Sequence, residues 1–450
     1  VDQPQHAKPQ RRPFVPATDA FAAGTDTPRD LLERCLADLA QWEPDVGAFT
    51  VTDIEGARRA ADAATARWAA GHPLSPIDGM PVGIKDIIDT DDMPTQQGSV
   101  LYQGHRPPFS AASATALRLA GAVIVGKTVT TEFASTEPRG TRNPWDLART
   151  PGGSSSGSAA AVAAGMVSGA VGTQVVGSII RPSGFCGVYG YKPSVGGINR
   201  GGSLDLLSQS TSGPIAASLA DAWVMARAIV DRVGGDPGYV GITGPDTLPP
   251  PARPKRLALL QTAGWPILEP AAREALDRAL ATLRQAGIDI VTRAEWPALE
   301  ALEQTLPDAL PVTMKINAWE WRWPLNAFAA RDPAALSKSA HDRIALGASM
   351  TQDDYAAALA RRSQIRKLYA ELAAGCDALV SVTAPGAAPV GLGSTGNPIF
   401  VVPGSILGVP VVTLPVLQAE GLPLGFQILG FADADAALFA TAAGIEPLLL

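Results

Sequence analysis

The chain has 450 residues, 46% of them hydrophobic and 18% charged, with a formal net charge of −7. That length and apolar content allow a large buried core, and no Lys/Arg cluster interleaved with aromatics appears, so nucleic acid is not an expected partner. The three cysteines, Cys35, Cys186 and Cys376, are far apart, odd in number and without CxxC spacing, which argues for buried free thiols against a disulfide framework or a metal site.

Residues 1–16 read as a disordered N-terminal arm, followed by a single α/β domain over 17–450. Residues 1–13 are polar and Pro-rich, with no apolar signal-peptide core. No run of about 20 apolar residues free of polar breaks suits a spanning helix. A cytoplasmic protein without a membrane partner is expected. Because the chain begins at Val1, a few preceding residues are expected to be missing or processed.

Residues 27–70 are predicted helical. Thr27 or Asp26 can cap a helix through Leu31, Leu32, Cys35, Leu36 and Leu39, and an Ala-rich second helix spans 54–70. Residues 81–89 read as a strand that carries Lys85 in a largely apolar run. Such a lysine is either a surface residue on an edge strand or a buried amine. Burial would lower its pKa and free a neutral base. Lys127, after the predicted strand 122–126, is a second candidate and reads as structural.

Residues 151–193 are the stretch richest in Gly and Ser and poorest in charge. Between Pro151 and Ser178 no side chain but hydroxyls can ionise. Ala, Val and Met interleaved with the glycines exclude a solvated linker. The pattern predicts a buried loop, a small-residue helix near 156–165, a strand near 167–173 and a turn at 177–178. Gly152, Gly153 and Gly157 permit close backbone approach, and a hydroxyl at Ser178 sits beside several N–H donors. An acyl-transfer enzyme needs that arrangement: a nucleophile next to an oxyanion hole.

Beyond this stretch, strands are predicted at 257–261, 288–293, 378–385, 409–416 and 425–430, with helices at 269–286 and 352–373. Strands alternating with helices imply an α/β protein with a mixed, largely parallel central β-sheet covered by helices on both faces. Trp319, Trp321 and Trp323 alternate along 314–324. They read as core or interface aromatics, or as a wall of a substrate pocket.

The run GGSSSGS, a GS pair 24 residues after Ser154 at Ser178, and IRPSGFCGVYGYKP resemble the amidase signature family. GMPVGIKDIIDT at 79–90 resembles that family's lysine segment. GAVIVGKT, RNPWD, GPIAASLADA and GLPLGFQILG extend the likeness over roughly 75–430. The resemblance implies a catalytic core at about 75–220. It also implies a Ser–Ser–Lys triad in which Ser178 attacks, Ser154 follows a cis Gly153–Ser154 peptide bond, and Lys85 is the base. The implied oxyanion hole is the N–H groups of Val175, Val176, Gly177 and Ser178.

The sequence departs from the commonest family pattern, G-T-D-x-G-G-S-I-R-x-P. Gln174 stands for the Asp, Val176 for a Gly and Ile180 for the Arg, with Arg181 one place later. A Gln there with G-S-x-I-R-P resembles a GTQxxGSxIRP-type branch of stand-alone amidases. Val176 would narrow the acyl pocket or shift the hole. Arg181 would pair with an acidic substrate group or form a structural salt bridge. Thr131, Glu132, Phe133 and Trp319 are further pocket-wall candidates. Only four histidines occur, His6, His72, His105 and His341, none in a Gly-bracketed motif, which argues against a His-based triad.

The favoured function is hydrolysis of a carboxylic amide to acid and amine or ammonia. A ureide hydrolase of the same family, an amidotransferase component that passes ammonia to a charged tRNA, and a catalytically dead binding protein are the alternatives. The expected partner is a small-molecule amide. No cofactor or metal is expected, and a homodimer is expected from the resemblance alone.

Overall fold

The computed structural model describes residues 8–450. Among them one sheet holds eleven strands. These are β1 (Phe49–Thr52), β2 (Pro81–Lys85), β3 (Val123–Thr128), β4 (Gly169–Gln174), β5 (Tyr189–Lys192), β6 (Thr211–Ala216), β7 (Arg256–Leu259), β8 (Asp289–Val291), β9 (Ala378–Val382), β10 (Val411–Ala419) and β11 (Leu422–Leu429). Their order across the sheet is β1-β3-β2-β4-β6-β5-β10-β11-β9-β7-β8.

The sheet is mixed, as the sequence predicts, but it is less parallel. β2 runs parallel to β3 and β4, and β7 runs parallel to β8 and β9. The other pairings are antiparallel. Crossover helices make the parallel pairs. Where the connection is a tight turn, as at Glu420–Gly421 between β10 and β11, the strands must run antiparallel.

Successive strand residues feed two apolar clusters. Ile124, Val171, Leu257, Val380 and Val412 join one; Val123, Val125, Ala170, Ala258, Leu379 and Val411 join the other. The period-two alternation thus buries both faces of the sheet under helices. The helix Ser156–Ala163 lies within the second cluster and is buried on every side. This explains why it shows no polar stripe.

Local departures from the sequence reading have physical causes. Residues 49–52, predicted helical, form the edge strand β1, whose alternating half-buried and exposed side chains were too few to stand out between two helices. The strand predicted over 81–89 stops at Lys85, because the N–H groups of Ile87 and Ile88 fold back onto the Lys85 carbonyl at 2.8 and 2.9 Å. The turn expected at 177–178 leads into a helix, Ile180–Cys186, which holds Pro182 and Gly184 and is buried at every residue. Tertiary burial there overrides poor helix propensity.

Of the arm expected to be disordered, residues 1–7, with His6, lie outside the described residues. Residues 8–16 correct that expectation. Phe14 is fully buried, and the N–H groups of Phe14 and Val15 donate to the Asp221 carboxylate at 3.1 and 2.8 Å. All three cysteines are free and buried. No helix among the described residues is long and apolar enough to cross a membrane.

Candidate active site

Parallel pairing of β2 with β4, Ile84 opposite Val171, brings the C-terminal ends of both strands to one edge of the sheet. Lys85 is the last residue of β2, and Gln174 is the last of β4. The lysine and the turn after β4 therefore meet because of topology.

Lys85 is fully buried. Its Nζ lies 2.7 Å from Ser154 Oγ and donates to Thr173 Oγ1 at 2.9 Å. Burial lowers its pKa to about 7, against the opposing pull of the Asp205 carboxylate. Two other lysines are also buried. Lys127 donates to the Ile88 carbonyl at 2.9 Å and to Thr95 Oγ1, with Asp86 Oδ1 at 3.5 Å. Lys192 donates to the Pro193 carbonyl at 2.7 Å. Lys85 differs in its two hydroxyl neighbours, one of them in the Ser-rich loop.

Ser154 follows a cis Gly153–Ser154 peptide bond. Its carbonyl accepts from the Thr131 N–H at 3.3 Å, and the next N–H, of Ser155, donates to the Ser178 carbonyl at 3.4 Å. The two serine segments are thereby tied together. Just beyond, a Cβ at position 157 would stand 2.1 Å from the Ala48 carbonyl oxygen and 2.4 Å from the Val129 nitrogen. Only glycine lets the helix start so close to β3 and its flanking loop.

The turn from Val175 to Ser178 is braced through its carbonyls. Gln209 Nε2 donates to the Val175 carbonyl at 3.1 Å, Ser405 Oγ to the Val176 carbonyl at 2.9 Å, and the Arg181 N–H to the Gly177 carbonyl at 3.0 Å. Gln174 completes the brace. Its Oε1 accepts from the N–H groups of Ile179 and Ile180 at 2.8 and 2.9 Å, and its Nε2 donates to Ser405 Oγ at 3.0 Å. A carboxylate at 174 could accept but could not donate to Ser405. Among the described residues, the N–H groups of Val176, Gly177 and Ser178 donate to no protein acceptor. Ser178 is 6% exposed, so an attacking hydroxyl there would work almost without solvent.

The remaining candidates occupy different places. Arg181 is buried, and its guanidinium donates to the Gly153 carbonyl at 2.8 Å and to Thr395 Oγ1 at 2.9 Å. It thus supports the serine loop. Thr131 donates to the Ser135 carbonyl at 2.9 Å, and its γ-methyl faces Gly153. Trp319 stacks on Tyr355 with ring centroids 5.4 Å apart, and Arg322 lies over its indole. Trp321, two residues on, packs instead with Phe133, Val175, Leu207, Leu325 and Phe328, beside Val176. An apolar wall next to the braced turn is therefore built from Trp321 and Phe133.

Sequence reasoning missed Thr173, Gln209, Ser405 and Asp205. Thr173 stood within the recognised motif, one place before Gln174. Gln209 and Ser405 are distant in sequence, and no local pattern marks them. Among the described residues no cluster of three or more His, Cys, Asp and Glu side chains could hold a metal ion.

Comparison with known proteins agrees with this architecture. The family described as Amidase matches residues 30–439. One of the subunits of glutamyl-tRNA(Gln) amidotransferase from Chloroflexus aurantiacus is 34% identical, with 92% of each chain covered. Among solved structures, a crystal structure of an amidase superposes with a TM-score of 0.83 at 27% identity, covering 98% of this chain and 100% of the other. Another superposes at 0.82 and 28% identity, covering 96% and 98%. It belongs to a vestigial protein complex that bears on the evolutionary origins of an s-triazine catabolic enzyme. The match over most of the chain, the shared fold and the buried lysine–serine pair place this chain in the amidase family, the amidase-signature enzymes that act on amide C–N bonds.

Proposed function

We propose that this protein hydrolyses a small carboxylic amide through an acyl-enzyme on Ser178. The observation that carries the reading is the 2.7 Å contact between a fully buried Lys85 and Ser154. A neutral lysine amine has two N–H donors and one lone pair. Donation to Thr173 leaves the lone pair to accept the Ser154 proton while Ser154 accepts that of Ser178. The Ser178 oxygen then bonds the amide carbon, and the charge on its oxygen meets the N–H groups of the 175–178 turn. The C–N bond breaks as the relay returns the proton to the departing nitrogen. Water repeats the cycle and releases the acid.

A second reading is supported by the 34% identity with the amidotransferase component over 92% of the chain. In that reading the same chemistry would release ammonia for a partner protein. The test uses the chain alone. A fluorophosphonate adduct on Ser178, absent in Ser178→Ala, together with turnover of amides by the isolated chain, supports the stand-alone hydrolase. An adduct with glutamine turnover only in the presence of partner proteins supports the second reading. Absence of both adduct and turnover refutes the hydrolase.

A further inference from the structure

Arg362 and Arg366 stand one turn apart on the helix Gln352–Ala370, and both are half-buried. Arg362 Nη1 donates to Ser208 Oγ at 2.7 Å, and Arg366 Nε donates to the Ile406 carbonyl at 2.8 Å. Arg366 Nη2 is buried and has no partner among the described residues. Neighbouring Arg361 pairs with Asp308 at 2.7 Å, but among the described residues no carboxylate pairs with Arg362 or Arg366. Glu320, whose charge acts on Arg362, is already held by the Ser208 N–H at 2.7 Å and the Tyr355 hydroxyl at 2.9 Å.

The cluster is therefore short of negative charge. Burial lowers the pKa of both guanidiniums, that of Arg366 to about 10, and the Arg362 charge adds to the fall at Arg366. Buried Lys192 feels the Arg366 charge as well, and Asp435 near it is taken up by Tyr191 and Ser194. A bound anion would relieve this excess of half-buried cations. The backbone is shaped to admit the guanidinium: a Cβ at Gly408 would stand 2.9 Å from Arg366 Nη2. Tyr239 lies on the solvent side, 53% exposed, and its phenol acts on both arginines. Its hydroxyl has no partner among the described residues. Its ring packs on Gly196, where a Cβ would meet Tyr239 Cγ at 2.1 Å.

We propose that Arg362, Arg366 and Tyr239 form a binding site for a phosphate-class oxyanion, apart from the catalytic serines. Each guanidinium donates to a separate oxygen, and the Tyr239 hydroxyl donates to a third. A tetrahedral oxyanion offers acceptors in all three directions, whereas a carboxylate has two oxygens in one plane. The site also touches the braces of the turn. Arg362 holds Ser208, next to Gln209, which donates to the Val175 carbonyl. Arg366 holds Ile406, next to Ser405, which donates to the Val176 carbonyl. An oxyanion that redirects the two guanidiniums shifts both braces. Binding does not depend on the hydrolase reading; its effect on turnover does.

The experiment is calorimetric titration of the whole chain with inorganic phosphate at constant ionic strength. Wild type, Arg362→Gln, Arg366→Gln, Tyr239→Phe and Arg361→Gln are compared, with circular dichroism as the folding control. One phosphate should bind the wild type with Kd below about 10 mM. Loss of a charge-assisted hydrogen bond should weaken it about 10- to 100-fold in each variant of Arg362 or Arg366, and loss of the phenol about 3- to 10-fold. Arg361→Gln removes a neighbouring charge and should leave binding unchanged. No binding to the wild type, equal binding in all variants, or equal weakening in Arg361→Gln overturns the site. Acetate binding as tightly as phosphate overturns the phosphate class. Should the arginine variants not fold, Tyr239→Phe decides. Saturating phosphate should change the wild-type kcat by about threefold or more and leave that of Arg366→Gln constant; a constant wild-type kcat overturns the link to the turn. If the wild type turns over no amide and Ser178 takes no adduct, the hydrolase reading has failed, and calorimetry still decides the site.

Discussion

Lys85 Nζ and Ser154 Oγ lie 2.7 Å apart, and both residues are shut away from solvent. The pair joins the end of one strand to a loop 69 residues later. An amine in that position would be a base near neutral pH only because burial disfavours its charged form.

Replacement of the amine tests the pair directly. Lys85→Met is expected to lower kcat by about 100- to 10,000-fold, the usual worth of a positioned proton acceptor. Ser154→Ala should fall in the same range, and the double variant should be little worse than either single one, because the two act as one relay. Steady-state kinetics with circular dichroism as a folding control provide the check. Additive losses would mean that the groups act separately.

The pH profile follows from the lowered Lys85 pKa. The lysine must be neutral to accept a proton, so activity requires pH above its pKa of about 7. kcat/KM for an uncharged amide should therefore rise about tenfold per unit as pH increases towards 7, then level off. A flat profile from pH 5 to 9 would remove Lys85 as the base.

Stability carries the same signature with a defined sign. Unfolded lysine titrates near 10.4, and folded Lys85 at about 7. Between those values the unfolded chain binds more protons, so this group makes stability rise with pH and fall as pH drops, until the effect levels off below 7. Urea unfolding of wild type against Lys85→Met should show the wild type gaining at most about 1.4 kcal/mol per pH unit between pH 7.5 and 9. A gap independent of pH would show that Lys85 is not held neutral.

The brace on the turn offers a test that spares Lys85, Ser154 and Ser178. Gln174→Glu removes the donor to Ser405, and Ser405→Ala removes the donor to the Val176 carbonyl. Each should lower kcat about tenfold or more with a smaller effect on KM, since a shifted N–H group loses its aim at the transition-state oxygen. Changes confined to KM would contradict that role.

Steric fit at the turn can be probed by compensation. A Cβ at position 177 would stand 2.3 Å from Val401 Cγ2. Gly177→Ala should therefore impair turnover sharply, and Val401→Ala in the same chain should restore part of it. Absence of any rescue would show that the turn needs the glycine for another reason.

Much of the core machinery was legible in the linear order of residues. The charge-free Gly/Ser run, with serines at 154 and 178, declared a buried loop, and Lys85 in a largely apolar run declared an unusual amine. These signals are local in composition and spacing, which is why they survive without a fold. The edge strand β1 and the helix Ile180–Cys186 escaped the same reading, since four residues carry little periodicity and Pro182 and Gly184 oppose helix.

Tertiary structure alone decided the surroundings of Lys85, Ser154 and Ser178. Parallel pairing of β2 and β4 set Thr173 against Lys85. Packing of remote segments brought Gln209 and Ser405 to the turn, engaged Arg181 beneath the loop, and turned Trp321 instead of Trp319 towards Phe133. Asp205 had no motif to mark it, and only the fold buries its carboxylate without a protein partner. Sequence by itself determined which groups could do the chemistry, because residue type and local spacing limit that. Contacts between segments far apart in the chain determined their geometry, their pKa values and what they can recognise, because burial and partners exist only once the chain is folded.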